Sequence, residues 1–394
     1  MYVPPAFTVS LDLPARERWI GAVDLVLTHH TFGESFGAVF AEHNNTLFSD
    51  LTPDHYNELA NSMRKYYPEQ SDELEGISQS FRTAGYIVTF EYLSAWVYFH
   101  ELAHTELADP TFSRECTGIV TQDRYGNLVH GRNMDQVPQA ARNITLHLTF
   151  EKYQAVQFEA VDWYWFTTGV VTAVKRNLVS VQENWRFVAS PLSSVDVLSK
   201  ISSGTVPQVF VFRTLLLSTM DASGPLRNAS NPGQSFTDAI DFLKAIPLAA
   251  PYYVIVAGKR SPDAAIITRS AEAVDDITWL DSASDWLLVQ TNYDRNQPDP
   301  ASDDRRTVAE CLLRQLGQVK GATNLGVYAV ISSFPVHNVN TAYTAIMSAG
   351  TGELHGFVRQ PMVPAGPMTN AGCEPAEYSN ETGLGRGISF GRRV

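Results

Sequence analysis

Cysteine is scarce in this chain: 394 residues contain three, Cys116, Cys311 and Cys373. They form no CxxC metal knuckle and no dense disulfide frame, so at most one bridge can form and one thiol is left over. Positive charge is also short. Lys and Arg number 29 against 42 Asp and Glu, a formal charge of −13, which opposes a phosphate backbone and excludes a basic stripe for nucleic acid. No run reaches the ~18 to 20 apolar residues of a membrane span. The opening "MYVPPAFTVSLDLPARERW" has no apolar h-region of a signal peptide. Internal repeats and low-complexity tracts are absent, and the tail after Cys373 reads as irregular. What is present is a composition with 44% hydrophobic and 18% charged residues, enough for one large core or two moderate ones. Four Asn-X-Ser/Thr sequons, at Asn44, Asn143, Asn228 and Asn380, are compatible with secretion.

The first third reads as helical from about residue 51 to 107. Pro53 and Asp54 open one helix, and Asp72 with Glu75 has the spacing of a capping box for a second. The stretch from Ala84 to Phe99, rich in Tyr, Phe and Trp, reads as a buried helix, an acyl slot or a lipid-touching surface. After Cys116 the rhythm becomes that of strands. Ile144, Leu146, Leu148 and Phe150 alternate with polar residues, and "YYVIVAGKRSPDAAIITRS" reads as two strands around a turn. "WLLVQTNYD" and "GVYAVISSF" are further strand candidates, while "SFTDAIDFLKAI" and "DDRRTVAECLLRQLGQV" are helical, the latter with Val308, Leu312, Leu313 and Leu316 on one face. Separated runs of strands and helices imply an α+β arrangement of sheets covered by helices.

"TGIVTQ" and "NLVHGRN" flank "DRYG", which predicts an antiparallel hairpin whose paired numbers sum to roughly 250. That register sets Cys116 opposite about residue 134 and brings Arg132 and Asp135 to the thiol. A guanidinium beside a thiol favours the thiolate, and a carboxylate orients an amine. The plainer alternatives are a buried apolar cysteine and a hairpin-end ion pair between Arg132 and Asp135. "HELAH", from His100 to His104, is a literal HExxH, which on a helix gives two imidazoles on one face with Glu101 as a base, the zinc-peptidase arrangement. No third ligand follows at the usual spacing, and the competing reading is that of histidines on a helix surface.

"CTGIVTQDRYGNLVHGRNMD" resembles the start of the β chain in the family of N-acylethanolamine-hydrolysing acid amidase and acid ceramidase, within the N-terminal nucleophile hydrolases. "PPAFTVSLDLP", "TNYDRNQPDPASDDRRT" and "PVHNVNTAYTAIMSAG" resemble the family in the same order, so the similarity spans almost the whole chain. The resemblance implies a four-layer αββα sandwich of the N-terminal nucleophile hydrolase type, preceded by a mainly helical α-chain segment, with residues 1–115 as that segment and 116–394 as the catalytic β chain. It implies self-cleavage before Cys116, leaving nucleophile and base on one residue and an α/β heterodimer of the cleaved pieces. A free α-amine with a pKa near ~7.7 to 8 and a thiol near ~8.5 can exchange a proton without a separate histidine. By the same resemblance Arg132 and Asp135 steer the thiol and the amine. Asn292 matches a side-chain donor to the oxyanion, of a kind worth roughly 3 kcal/mol. Glu183 fits the family's glutamate in "DER" or "NER", and Arg305 the arginine after two aspartates. The plain alternatives are a turn amide for Asn292, a solvated carboxylate for Glu183 and a helix-end ion pair for Arg305.

The implied substrates are fatty acid amides (N-acylethanolamines) or ceramide, with no cofactor and no metal, peripheral membrane contact, and a lysosomal or secretory location. Retention of Cys116, Arg132, Asp135 and Asn292 argues against a non-catalytic lipid-binding descendant. The chain departs from the family pattern at Asn184, where arginine is usual, at Glu115 before the cleavage point, and in about ten extra residues, "TELADPTFSR". Cys311 resembles a family cysteine whose disulfide partner precedes the region where this chain begins, which implies either that this particular bond is absent or that the N-terminus is trimmed.

Overall fold

The structure is a computed structural model that describes residues 1–107, 115–217, 235–281, 283–300 and 303–362. Asn228, Asn380, Cys373, the tail and most of the ten-residue insertion lie outside them. Among the described residues the strands are β1 (Ala6–Ser10), β2 (Glu115–Gln122), β3 (Leu128–Asp135), β4 (Leu146–Lys152), β5 (Ala155–Asp162), β6 (Thr172–Lys175), β7 (Val179–Trp185), β8 (Tyr252–Ala257), β9 (Ala264–Arg269), β10 (Val274–Trp279), β11 (Leu287–Gln290), β12 (Thr341–Ser348) and β13 (Glu353–Val358). They form an eight-stranded sheet in the order β1-β4-β5-β6-β7-β8-β9-β10 and a five-stranded sheet in the order β11-β2-β3-β12-β13. Among the described strands only the β1–β4 pair is parallel, so the N-terminal segment contributes an edge strand as well as helices.

Helices α1 (Ala22–His29), α2 (Phe36–Thr46), α3 (Pro53–Tyr66), α4 (Pro68–Thr83), α5 (Phe90–Val97) and α6 (Phe99–Leu102) precede β2. Between β7 and β8 come α7 (Ser194–Ser202), α8 (Gln208–Leu217) and α9 (Phe236–Ala245), and between β11 and β12 come α10 (Arg305–Gly321) and α11 (Asn324–Ile331). Helix α3 starts as its sequence implies: Thr52 accepts from the His55 backbone nitrogen, and proline fills the first turn, where its missing N–H costs nothing. Helix α4 starts four residues before the supposed capping box. Pro68 opens it, and Asp72 and Glu75 lie inside, both paired with Arg16. The strand expected at "GVYAVISSF" is a helix, α11, capped by the Thr323 hydroxyl accepting from Gly326 N. A short, wholly apolar run carries no period that separates helix from strand, and here the cap decides.

The two sheets face one another, and glycines sit where they approach closely. A Cβ on Gly118 of β2 would stand 2.6 Å from Gln182 Nε2 on β7 and 3.1 Å from Ile255 Cγ1 on β8. On the opposite face, a Cβ on Gly131 of β3 would meet Val327 Cγ1 of α11 at 2.4 Å. The alternation of β2 and β3 therefore turns one row toward the larger sheet and the other toward α10 and α11. The Ala84–Phe99 stretch is core rather than surface. Trp96 is fully buried among Phe40, Phe48, Phe99 and Phe166, although Ile87 in the preceding loop is exposed. The main core cluster joins residues from both sides of Cys116, from Val9 to Leu354.

Candidate active site

The predicted hairpin register is observed. Cys116 pairs with Met134 and Gly118 with Arg132, a constant sum of 250. Cys116, Arg132 and Met134 thus share the face turned to the larger sheet, where Arg132 Nη1 donates to the carbonyls of Val171 (3.0 Å) and Glu183 (2.6 Å). Arg132 Nη2 reaches Cys116 Sγ at 3.6 Å and Met134 Sδ at 3.3 Å, and the thiol lies 3.8 Å from that same thioether. Asp135, on the other face, accepts from Asn338 Nδ2 at 2.9 Å and pairs with Arg305 Nη1 at 3.4 Å. All six sequence-predicted residues are buried.

Arg305 begins α10, and the two oxygens of Asp303 hold one edge of its guanidinium, Oδ1 accepting from Nε at 2.7 Å and Oδ2 from Nη2 at 2.6 Å. Its remaining hydrogens go to the Cys116 carbonyl (3.1 Å), Thr117 Oγ1 (3.3 Å) and Asn292 Oδ1 (2.8 Å). Asn292 Oδ1 also accepts the Cys116 backbone hydrogen at 2.9 Å, while Asn292 Nδ2 donates to the Trp185 carbonyl at 2.9 Å. In this geometry the amide therefore holds the Cys116 nitrogen with its oxygen, and its nitrogen ties β7 to the loop after β11.

Asn184, where the family pattern has arginine, is fully buried. Its Nδ2 donates to the carbonyls of Gln290 (3.0 Å), Thr291 (3.2 Å) and Cys116 (3.4 Å), and its Oδ1 accepts from Gln182 Nε2 at 2.7 Å. Gln182 Oε1 in turn meets His130 Nε2 at 3.0 Å, and His130 Nδ1 meets Ser180 Oγ at 3.0 Å. Burial pushes the His130 imidazole down to about 3, so the ring is neutral and each amide in the row takes its polarity from the one before. Burial likewise pushes the Cys116 thiol up to about 11, partly offset by Arg132 and reinforced by Glu183 and Asp135. The sulfur is thus a thiol rather than a thiolate at neutral pH.

The HExxH motif is neither on a helix surface nor on one helix. Helix α6 ends at Leu102, and His100 and His104 are 2% and 3% exposed. His104 stacks on Trp185 with ring centroids 3.5 Å apart, His100 Nδ1 lies 3.5 Å from Glu183 Oε1, and Glu101 Oε1 accepts the Gln208 backbone hydrogen at 2.7 Å. Among the described residues no group of three His, Cys, Asp or Glu is arranged to hold a metal ion. His100 instead lines a small cavity with Cys116, Glu183 and Trp185.

Of the neighbours that sequence reasoning passed over, Met134 carried a signal, because it is the register partner of Cys116. Asn338 lies within the quoted "PVHNVN" block, whereas His100, Trp163 and Gln208 reach the cavity from distant segments that no local pattern connects. Cys116 is a free thiol, and Cys311 is disulfide-bonded.

No family model matches the chain. N-acylethanolamine-hydrolyzing acid amidase of Caenorhabditis elegans is 26% identical over 360 residues, covering 91% of this chain and 92% of that protein. The Mus musculus enzyme of the same name is 28% identical, covering 88% and 86%. Acid ceramidase of Mus musculus is 30% identical over 261 residues, 62% of each chain. The solved structure of a Caenorhabditis elegans N-acylethanolamine-hydrolyzing acid amidase ortholog matches with a TM-score of 0.51 and 27% identity, covering 60% of this chain and 93% of that one. On these relationships, together with its mixed sheet-and-helix architecture, the chain belongs to the family of N-acylethanolamine-hydrolysing acid amidase and acid ceramidase.

Proposed function

We propose that this chain is a cysteine-dependent amide hydrolase that cleaves fatty acid amides, N-acylethanolamines first among them, into fatty acid and amine. The observation that carries the reading is the surrounding of one residue: Cys116 has its sulfur 3.6 Å from Arg132 Nη2, its nitrogen 2.9 Å from Asn292 Oδ1, and a cavity beside it. Family membership supports hydrolysis of lipid amides in general, and the Cys116 mechanism is the finer proposal.

Activation would begin at the Glu115–Cys116 bond, in the first residues of β2. Sγ attacks the Glu115 carbonyl carbon, the C–N bond breaks, and the acyl group moves from nitrogen to sulfur. Water then breaks the thioester, leaving a Glu115 carboxylate and a free Cys116 α-amine. This division gives an α chain of residues 1–115 and a β chain of 116–394, held as a heterodimer by the shared core and by a four-layer αββα arrangement of the two facing sheets and their helices. The freed nitrogen stays against Asn292 Oδ1, takes the thiol proton, and the sulfur attacks the substrate carbonyl. Arg132 stabilises the sulfur's negative charge, and the Asp135 carboxylate, fixed by Asn338 and Arg305, offsets the ammonium's positive charge through space. Asn292 would supply an oxyanion donor if its nitrogen leaves the Trp185 carbonyl when substrate binds. Collapse expels the amine, which carries off the proton, and water releases the fatty acid. Glu183 faces the same cavity, where it can accept a proton.

Ceramide is the second substrate reading, supported by the 30% identity to acid ceramidase. The acylethanolamine amidases align with 88 to 91% of the chain and the ceramidase with 62%, which favours the former. The relatives and the sequons support a lysosomal or secretory location. The test is denaturing mass spectrometry of protein incubated at acidic pH, followed by turnover of an acylethanolamide and a short-chain ceramide. Two pieces, the larger beginning at Cys116, and faster acylethanolamide turnover are expected; a fully active, uncut chain would falsify the mechanism.

A further inference from the structure

We propose that Gln208 and Trp163 hold the water that hydrolyses the acyl-enzyme, in the cavity beside Cys116; this rests on the thioester chemistry proposed above. The cavity measures about 20 Å³ and is lined by Cys116, Met134, Asp135, Glu183, Trp163 and Gln208, among others. A site needs roughly 10–15 Å³ to hold one water, and that water needs two to four polar partners. The space therefore suits a single water.

The polar partners are present. Gln208 Nε2 and Trp163 Nε1 are buried donors with no hydrogen-bond partner among the described residues, on side chains each 2% exposed. Buried donors without acceptors are uncommon because nothing offsets the loss of their hydration, and one oxygen in the water-sized space that both residues line would satisfy the two. Glu183 in the same wall supplies a carboxylate to receive a hydrogen from that oxygen.

Both donors are fixed through their backbones. Gln208 is the first residue of α8, and its N–H is held by Glu101 Oε1 at 2.7 Å, which gives the glutamate of the HExxH motif a structural task. Trp163 starts a loop whose two ends are clasped by Asp162, which accepts from Tyr164 N and Val171 N at 2.8 Å each. A water held there forms the C–O bond to the thioester carbon while one of its protons passes to the Cys116 α-amine. The C–S bond then breaks, the sulfur recovers that proton, and the products are the fatty acid and the free thiol.

The test is rapid-quench kinetics of the mature enzyme with a fluorogenic long-chain acyl anilide, comparing wild type with Gln208→Met, which keeps the shape and removes the donor. The expected result is a first-turnover burst within about twofold of wild type, steady-state release slowed about tenfold or more, and accumulation of the acyl mass on the fragment that begins at Cys116. Trp163→Phe is the second variant, read in the same way if Gln208→Met does not fold. Burst and steady state slowed alike, or turnover unchanged with no accumulated adduct, overturns the water site alone. Absence of a Cys116 adduct in wild type quenched during its burst removes the parent mechanism, and this site with it.

Discussion

Asn292 Oδ1 receives two hydrogens at once, one from the Cys116 backbone nitrogen at 2.9 Å and one from Arg305 Nη2 at 2.8 Å. Because Arg305 is held by both oxygens of Asp303, the chain of contacts from Asp303 to the Cys116 nitrogen is fixed at each step. In the mechanism proposed above, the nitrogen that would become the α-amine on cleavage is therefore oriented before it is free.

Substituting Asn292 separates its two ends. Asn292→Asp keeps an acceptor for the Cys116 nitrogen and removes the Nδ2 donor, so chain cleavage is expected to persist while kcat falls by roughly 10²- to 10³-fold, the usual cost of losing an oxyanion donor. Asn292→Leu removes both ends and is expected to block cleavage as well. Band ratios on denaturing gels and kcat on an acylethanolamide report the two effects. Wild-type kcat in Asn292→Asp would show that the amide nitrogen takes no part in the chemistry.

Cys116→Ala is expected to remain one uncut chain without amidase activity, since nucleophile and base would reside on that residue. Intact mass and turnover measured on the same sample check it. Amide hydrolysis by the purified variant would place the nucleophile elsewhere.

The hairpin was legible because strand pairing is arithmetic: once the "DRYG" turn is located, the partners of Cys116 follow. The residues quoted from the Thr291 block also reached the site, because Asn292 and Arg305 lie close in sequence to a strand end and a helix start. Helix α11 was not legible, since its run from Leu325 to Ile331 has no polar residue except Tyr328 to mark a face. The HExxH stretch misled for a different reason. Spacing alone cannot reveal that α6 stops at Leu102 and that the imidazoles pack on Trp185, some eighty residues away. Gln208 and Trp163 carry no local signature at all, because their meaning depends on which distant segments enclose the same cavity.

Gly118→Ala tests how closely the sheets approach at the site. The added methyl would meet Gln182 Nε2 at 2.6 Å, displacing the amide that orients Asn184 and, through it, the Cys116 carbonyl. A stability loss of about 1–3 kcal/mol is expected from overpacking, seen as a lower urea midpoint. Activity should fall further than the unfolded fraction explains. An unchanged midpoint and full activity would mean that Gln182 relaxes freely and that its bond to Asn184 does not orient the site.

His130 and Asp162 give opposite pH dependences. The buried imidazole is pushed down to about 3, below its unfolded value near ~6.5, so the unfolded chain binds the extra proton and stability is lost as pH falls through that interval. Burial pushes the Asp162 carboxyl up to about 6, against the backbone N–H groups of Val171 and Tyr164 that favour its charged form. Its contribution is full below the ordinary carboxyl value and is lost as pH rises through about 6. In the window from ~4 to ~6 the two groups therefore oppose each other, each with a slope of up to about 1.4 kcal/mol per pH unit. Urea midpoints measured across that window should fall less steeply toward acid in His130→Gln than in wild type, and more steeply in Asp162→Asn. Slopes that move in the same direction for both variants would contradict this assignment of protons.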